Sequence, residues 1–274
     1  MINEMLAGAP LFLLLAVRAL AMIETAPLLS SDSNPQVARI ALAGFTAYAA
    51  FPGAQAIDTA ALLGGDPGGV MVSLNFLGLL AGEALIGIIM GFFMLIIFST
   101  FSTAGQFFSL QMGFGASETF DPLSQIENPL MGQFLNLAAM LVFLTINGFT
   151  TLFHTGFWRS VQSINVSALA NGREAVAGML VAGLARLFLD AMIISLPILG
   201  TLFLTSLTTG LISKAAPQVN ILTEGFPISI TVAFMLILAT MPMMIEAFSR
   251  VINSGFDMIQ SLYLQIGSRI LGGA

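Results

Sequence analysis

Long apolar stretches with at most two charges each alternate with short polar breaks along this chain. The apolar segments cover residues 9–29, 40–57, 70–111, 129–157, 176–213 and 226–248, and an amphipathic tail follows to Ala274. About 20 apolar residues are enough to cross the hydrocarbon core of a bilayer as a helix. The pattern therefore predicts an all-α integral membrane protein with about six long, partly broken helices that form hairpins.

The tract from residue 70 to residue 111 is the longest of these segments, and Glu83 is its only charge. As one straight helix, roughly 40 residues would extend about 60 Å, which is about twice the hydrocarbon thickness. We expect an uncharged hairpin over residues 84–117 that folds back near residues 99–105. A single long helix that projects beyond the bilayer is the alternative.

Composition supports a membrane location and a single domain over residues 1–274. The 274 residues are 57% hydrophobic and only 8% charged, whereas soluble domains carry roughly a quarter charged residues. Eight basic residues against 14 acidic ones form no basic stripe, so nucleic acid is not an expected partner.

The absence of cysteine excludes disulfides and thiolate metal sites. No positively charged region precedes the first apolar segment, so we expect that segment to be retained as a helix.

Ionisable residues inside the apolar segments need partners or water, since each costs about 2.5–3.5 kcal/mol at the bilayer centre. Arg186 and Asp190 are four residues apart and can pair on one helix face, whereas Arg18 and Glu24 must find partners outside their own helix. One interpretation is a proton relay in a secondary transporter, and the other is a set of helices that face further subunits. The six residues are Arg18, Glu24, Glu83, Arg186, Asp190 and Glu246.

Enzymatic motifs are not evident in the sequence. His154 is the only histidine and cannot build a zinc site without carboxylate partners. The run Gly113-Phe114-Gly115 lacks the lysine and hydroxyl residue of a phosphate-binding loop, and no serine nucleophile elbow is present. An intramembrane hydrolase would need a paired acid or a Ser/His pair on facing helices. We expect a protein that is not an enzyme and that binds no metal or cofactor.

A loop of unusual composition follows the long apolar tract directly. It combines flexible glycines with two phenylalanines and ends in an Asp-Pro turn. Irregular backbone at membrane depth is tolerated only where it is buried in protein or lines a cavity, so a pore constriction or plug and a plain interhelical loop both fit. The residues concerned are Gln111, Met112, Gly113, Phe114, Gly115, Phe120, Asp121 and Pro122.

Two pairs of glycines in the same tract have small-xxx-small spacing. Gly78 and Gly82 form one pair, and Gly87 and Gly91 form the other. Without side chains at these positions, two helix backbones can approach closely. The spacing favours helix–helix packing along this tract.

Three ordered stretches of the sequence carry recognisable motifs. Residues 18–27 read RALAMIETAP. Residues 82–136 contain Gly-Glu, Gly-Gln, LQMGFG, Asp-Pro and GQFLN in that order, and residues 210–220 read GLISKAAPQVN before Gly-Phe-Pro at 225–227. Together these stretches resemble the FliR family of flagellar type III export gate subunits. The residues of the C-terminal motif are Lys214, Pro217, Gln218, Asn220, Gly225, Phe226 and Pro227.

The resemblance implies an architecture and a set of partners. Members of the family join five copies of FliP and four of FliQ, act with FlhB and FlhA, and conduct unfolded flagellar and rod proteins without a cofactor. They belong to the flagellar basal body in the bacterial inner membrane, where much of the assembly is raised toward the periplasm and the rest contacts lipid.

By the same resemblance, residues 1–175 form a FliP-like part, and residues 176–274 form a FliQ-like hairpin and a C-terminal tail. The loop over residues 111–122 becomes the pore plug, with Phe114 and Phe120 as its pore-filling rings. The related injectisome subunit is the alternative, and the run Gln111-Met-Gly-Phe-Gly favours the flagellar branch.

Overall fold

Every regular element in the described part of the chain is helical. A computed structural model describes residues 2–30, 34–54, 74–113, 130–164, 166–215 and 221–271. Five of its helices are long and apolar enough to cross a membrane, or up to six spans if the broken pair Leu130–Thr145 and Gly148–Ser163 counts as one. The prediction of an all-α membrane protein with about six apolar segments is confirmed.

The helices follow one another in the order that the apolar segments predict. They are α1 (Ile2–Thr25), α2 (Gln36–Ala54), α3 (Leu74–Met112), α4 (Leu130–Thr145), α5 (Gly148–Thr151), a π-helical segment (Leu152–Trp158), α6 (Arg159–Ser163), α7 (Val166–Asn171), α8 (Arg173–Ala215) and α9 (Ile221–Leu271).

Helix α3 is continuous over 39 residues, so the predicted hairpin over residues 84–117 is wrong and the long single helix is correct. No proline interrupts the expected fold-back near residues 99–105. Phe98, Phe101 and Ala104 in this region are all almost fully buried. Because these side chains are buried on successive turns of the helix, packing stabilises an unbroken helix in this region.

Helices α8 and α9 are longer still, with 43 and 51 residues. Each continues through prolines that could have ended it, namely Pro197 in α8 and Pro227 and Pro242 in α9. Membrane helices tolerate proline where neighbouring groups satisfy the freed backbone. The segment predicted at 226–248 and the tail predicted to follow it therefore belong to one helix as far as Leu271.

The segment predicted at 129–157 breaks near its middle. Asn147 has φ 56° and ψ 37°, a left-handed conformation that asparagine adopts more readily than most residues with side chains. The chain then resumes as α5 and passes into the π-helical segment. The segment predicted at 129–157 is therefore divided between α4 and the elements that follow Asn147.

The helices contribute to two compact units. The first unit contains Met1–Ile96, Asn147–Gly183 and Ser254–Ala274, and the second contains Ile97–Ile146 and Leu184–Asn253. Helices α3, α8 and α9 run through both. The predicted division of the chain at residue 175 into two family-related parts stays a prediction.

Four buried phenylalanines form the centre of the second unit. The ring centroid of Phe98 lies 6.2 Å from that of Phe101 and 5.6 Å from that of Phe143. The Phe101 ring lies 4.7 Å from that of Phe248. Since aromatic pairs at these separations contribute beyond the area they bury, this phenylalanine cluster holds α3, α4 and α9 together.

Candidate functional site

A buried arginine organises the centre of the first unit. Arg18 lies on α1 and is only 3% exposed. Its Nε donates to Oε2 of Glu83 over 2.5 Å, its Nη1 donates to Oγ of Ser160 over 3.2 Å, and its Nη2 donates to the carbonyl of Ile164 over 3.0 Å. We call these four residues the Arg18 cluster.

The Arg18 cluster joins three parts of the chain that are far apart in sequence. Glu83 belongs to α3, and Ser160 lies on α6 just before Ile164. The Ser160 hydroxyl also donates to the carbonyl of Phe157 over 2.6 Å, so it accepts one hydrogen bond and donates another. Arginine stays protonated in proteins, so a cluster centred on Arg18 is suited to holding helices together.

A second buried hydrogen bond fixes α9 against the π-helical segment. The hydroxyl of Tyr263 donates to the carbonyl of Gly156 over 2.7 Å, and both residues are buried. π-Helical turns are rare and often occur at functional sites. Here the segment presents a carbonyl that a side chain from another helix satisfies.

Glycines on α3 allow α1 to approach closely beside the Arg18 cluster. A Cβ on Gly87 would overlap the backbone carbonyl oxygen of Arg18, and a Cβ on Gly91 would overlap Oγ1 of Thr25. A Cβ on Gly82 would overlap the side chain of Val166, whereas Gly78 has open space around it. The predicted packing role is confirmed for three of the four glycines.

The other charges of the apolar segments also have partners. Glu24 pairs with Arg39 of α2 over 2.5 Å, so the expectation that Arg18 and Glu24 find partners outside α1 is confirmed. Arg186 and Asp190 pair within α8 over 3.4 Å, as predicted. Glu246 lies 3.8 Å from Arg250, and both side chains are largely exposed.

Only the first residues of the predicted plug fall within the described part of the chain. Gln111 is exposed and Met112 is fully buried at the end of α3, and Gly113 follows with φ 92°. Phe114, Gly115, Phe120, Asp121 and Pro122 lie outside the described residues.

The C-terminal motif is divided in the same way. Lys214 is exposed near the end of α8, and Gly225, Phe226 and Pro227 lie in the first turns of α9. Pro217, Gln218 and Asn220 lie outside the described residues.

The two motifs meet at Gly113 and Phe226. A Cβ on Gly113 would overlap Cδ1 and Cε1 of the Phe226 ring and lie 3.3 Å from Cγ. The N–H of Gly113 donates to the carbonyl of Leu110 over 3.1 Å, which is the arrangement of a glycine that ends a helix in a left-handed conformation. The end of α3 is therefore shaped by a residue 113 positions later in the chain.

Sequence reasoning did not single out several residues of these contacts. Ser160 and Ile164 lie at the start of a stretch that the pattern marks only as a polar connection, and Tyr263 lies in the tail. In the sequence, the charge of Arg18 inside an apolar segment indicates that hydrogen-bond acceptors must lie near it. It does not indicate which residues supply those acceptors. Within the described residues, no group of three or more His, Cys, Asp or Glu side chains is placed to hold a metal ion.

Comparison with known proteins identifies the family. Residues 9–255 match the family model of bacterial export proteins, family 1. The chain belongs to this family. The match extends into both units and includes the Arg18 cluster and the contact between Gly113 and Phe226.

Curated relatives of this export family match most of the chain. The flagellar biosynthetic protein FliR of Bacillus subtilis is 29% identical over 267 residues, which is 97% of this chain and 99% of the relative. FliR of Escherichia coli is 31% identical over 90% of this chain and 92% of its own length. FliR of Borreliella burgdorferi is 34% identical over 72% of this chain and 74% of its own length.

The family match and these relatives establish the general role of the chain. The chain is a membrane component of flagellar or type III protein export. The relatives are named for flagellar biosynthesis and not for a chemical reaction. The prediction that the chain resembles FliR is confirmed.

Proposed function

We propose that the chain is a structural and gating subunit of the flagellar export channel, which assembles with FliP and FliQ around a pore for unfolded flagellar proteins. In this proposal it resides in the bacterial inner membrane as part of the basal body, with much of it raised toward the periplasm. FlhA, FlhB and the exported flagellar and rod proteins are its further partners. The names of the relatives and the order of the sequence motifs support this role.

The observation that carries the proposal is the length of exposed apolar surface on α8. From Leu184 to Ile212 this surface extends over about 42 Å of helix at 1.5 Å per residue, whereas a hydrocarbon core is about 30 Å thick, or about 39 Å along a helix tilted by 40°. The exposed apolar residues are Leu184, Phe188, Leu189, Met192, Ile193, Leu196, Phe203, Leu204, Leu207, Leu211 and Ile212.

Because this surface is longer than a typical hydrocarbon core covers without thickening, we infer that protein covers part of it. Only 33% of the apolar window of α8 and 22% of that of α9 are buried within the chain, against 61% for α3. Further membrane subunits with apolar helices, as FliP and FliQ would be, supply the missing cover. This requirement favours a multi-subunit assembly over a protein that works alone in the bilayer.

The pairing of the charges also favours a structural role over proton relay. A relay through Glu83, Arg186, Asp190 and Glu246 needs carboxyl groups that exchange protons, which Glu83, Asp190 and Glu246 would supply. In the structure each of these three carboxylates lies next to an arginine. The Arg18–Glu83 pair joins two helices, whereas the other two pairs lie within one helix each. Because arginine side chains keep their protons, an arginine beside each carboxylate favours a structural role over a path for protons.

Closure of the pore at rest is assigned, in this proposal, to the predicted plug at residues 111–122, of which Gln111 and Met112 are the last residues of α3 and not part of a loop. Glycines and phenylalanines suit a seal that must yield to many passing sequences, because they form few directional bonds. Phe114 and Phe120 are the proposed pore-filling rings. The glycine that ends α3 sets where this loop begins.

Co-purification followed by native mass measurement tests the assembly. The tagged full-length chain is extracted in mild detergent from cells that also express FliP and FliQ. One copy of this chain with five of FliP and four of FliQ is the expected composition. A homodimer, or the chain alone, would contradict the proposal.

Deletion of residues 114–122 tests the closure. In assembled complexes, the deletion should raise ion leak across the membrane, because the proposed seal is removed. A matched control replaces the same nine residues with a Gly/Ser segment of equal length, which should also leak if the phenylalanines make the seal. Unchanged permeability in both variants, with assembly intact, would contradict the closure.

A further inference from the structure

Helices α8 and α9 are each much longer than a bilayer is thick. Their 43 and 51 residues extend about 65 and 77 Å at 1.5 Å per residue, whereas a hydrocarbon core is about 30 Å thick. Only part of each helix can therefore lie in lipid. The exposed side chains of α9 indicate which part that is.

The exposed face of α9 changes from apolar to polar at Glu246. Among the described residues 226–245, the one exposed polar side chain is Thr231, whose hydroxyl donates to a carbonyl of its own helix. Over residues 246–266, all of which the structure describes, Leu264 is the one exposed apolar residue. The other exposed residues of this stretch are Glu246, Arg250, Asn253, Asp257, Ser261 and Gln265. The surroundings of α9 therefore change at this level from apolar to polar.

A second charge pair lies at the matching position on α8. Asp190 is 25 residues before the end of α8, and Glu246 is 25 residues after the start of α9. Each carboxylate pairs with an arginine one turn farther from the connection between the helices, which is Arg186 on α8 and Arg250 on α9. We call these four residues the charge belt.

The two helices run in opposite directions, so equal counts from their connection correspond to about equal levels. Within the second unit, residues 216–220 connect α8 to α9, and helices joined by so short a connection are commonly antiparallel neighbours. Within the first unit, a Cβ on Gly172 would lie 3.2 Å from Cγ1 of Ile266, so the start of α8 lies next to the last turns of α9. The charge belt therefore crosses both helices about 38 Å from their connection.

The stretch between the belt and the connection has the length and character of a bilayer core. Residues 191–213 of α8 and 225–245 of α9 carry no charge, and these 23 and 21 residues extend about 35 and 32 Å. The hydroxyl groups of this part of α8 donate to carbonyls of their own helix. Charges return at the connection, where Lys214 is exposed. Since charges are costly at the bilayer centre, this spacing places them at the two surfaces.

We infer that the charge belt lies in the headgroup layer at one surface of the bilayer, and that hydrocarbon covers α8 and α9 only between the belt and their connection. The Arg186 and Arg250 side chains are 54% and 69% exposed, so their guanidinium groups can donate to lipid phosphates. Exposed apolar residues of α8 beyond the belt, such as Leu184, then need cover from protein. This inference goes beyond the proposed function, since it holds whichever subunits surround the chain.

Spin-label accessibility tests the level of the belt. The chain contains no cysteine, so Leu238→Cys and Asn253→Cys each introduce one labelling site on the exposed face of α9, on either side of Glu246. The full-length chain is reconstituted into liposomes of phosphatidylcholine and phosphatidylglycerol. A nitroxide at position 238 should be more accessible to oxygen, which partitions into lipid, and one at position 253 to a water-soluble nickel chelate.

The ratio of the two accessibilities should differ severalfold between the two sites. Equal ratios would overturn the inference. A label at position 238 that neither reagent reaches would also overturn it, because protein and not lipid would then cover this level. The chain is measured without FliP and FliQ, so the result decides the level of the bilayer whether or not the proposed assembly forms.

Removal of the α9 charges tests whether the belt sets this level. Glu246→Leu/Arg250→Leu extends the apolar face of α9, so the helix should enter the bilayer further and the accessibility of a label at position 253 to the nickel chelate should fall severalfold. Met235→Leu, at a position that is 66% exposed within the apolar stretch, is the matched control and should leave the accessibility unchanged. Arg250→Lys keeps the charge and should also leave it unchanged.

A single substitution covers the case in which the double variant does not reconstitute. Arg250→Leu alone should give a smaller fall of the same sign. Unchanged accessibility in a reconstituted Arg250→Leu or double variant would show that the charge pair only stabilises the helix, and would overturn the role of the belt.

Discussion

The Nε atom of Arg18 lies 2.5 Å from Oε2 of Glu83, and the two residues are 65 positions apart in the chain. Both side chains are nearly inaccessible, at 3% and 11% exposure. In an apolar environment neither charge has water as an alternative partner. The pair therefore fixes α1 against α3 and links both to the residues that follow the π-helical segment.

Removal of one member of this pair should be more harmful than removal of both. Arg18→Leu leaves the Glu83 carboxylate buried without its partner, and we expect a loss of about 3–5 kcal/mol in the free energy of unfolding. The double variant Arg18→Leu/Glu83→Leu should lose less, because no unpaired charge remains. Denaturant unfolding of the detergent-purified chain measures the three values. A double variant at least as unstable as the single one would contradict this account of the pair.

A methyl group added where α1 approaches α3 closely should disrupt this contact and destabilise the protein. Gly87→Ala places a Cβ against the Arg18 carbonyl, and we expect a loss of about 1–3 kcal/mol from overpacking. Gly78→Ala is the control on the same helix, where nothing lies within 4 Å of the added atom; it should be neutral or stabilise by up to about 1 kcal/mol. Thermal unfolding of the two variants measures the difference, and equal effects would count against the contact.

The phenylalanine cluster should dominate the stability of the second unit. Phe101 is fully buried and contacts two other rings, so Phe101→Ala should cost about 3–5 kcal/mol. Phe188→Ala, at a position 58% exposed on α8, should cost far less in the isolated chain. Unfolding curves of both variants in the same detergent give the comparison. The opposite order would show that the cluster is not the core of this unit.

The two tyrosines of the chain should respond differently to loss of the hydroxyl. Tyr263→Phe removes the hydrogen bond to the buried carbonyl of Gly156, and we expect a loss of about 1–3 kcal/mol because the carbonyl is left without a partner. Tyr48→Phe is the control, since Tyr48 is 72% exposed on α2 and should change little. Melting temperatures measure both, and an unaffected Tyr263→Phe variant would show that another donor replaces the hydroxyl.

The helical segments and their membrane character follow from the sequence because both are local properties. A run of apolar residues must satisfy its backbone hydrogen bonds internally in lipid, and a helix does so within the segment. The pairing of Arg186 with Asp190 follows for the same reason, since four residues separate them on one helix. The spacing of the glycines at 78, 82, 87 and 91 predicts contact positions, and three of the four are contacts, since Gly78 has open space around it.

Other features required the packed structure. In α3 apolar residues lie on every side of the helix, so the pattern contains no polar face from which to tell one long helix from a hairpin. Burial of Phe98 and Phe101 decides for the long helix. The break at Asn147 falls at an Asn-Gly pair, which is a turn signal, but the uncharged residues on both sides gave no other reason to divide the segment.

The sequence by itself determined that this protein is a helical membrane component, that its charges inside apolar segments need partners, and that Gly113 and Phe226 belong to recognisable motifs. Only the tertiary structure decided that Arg18 binds Glu83 and Ser160, and that the ring of Phe226 lies against Gly113. The physical reason is that partners distant in sequence are selected by how helices pack. Packing depends on shape at each contact, which hydrophobicity along the chain does not encode.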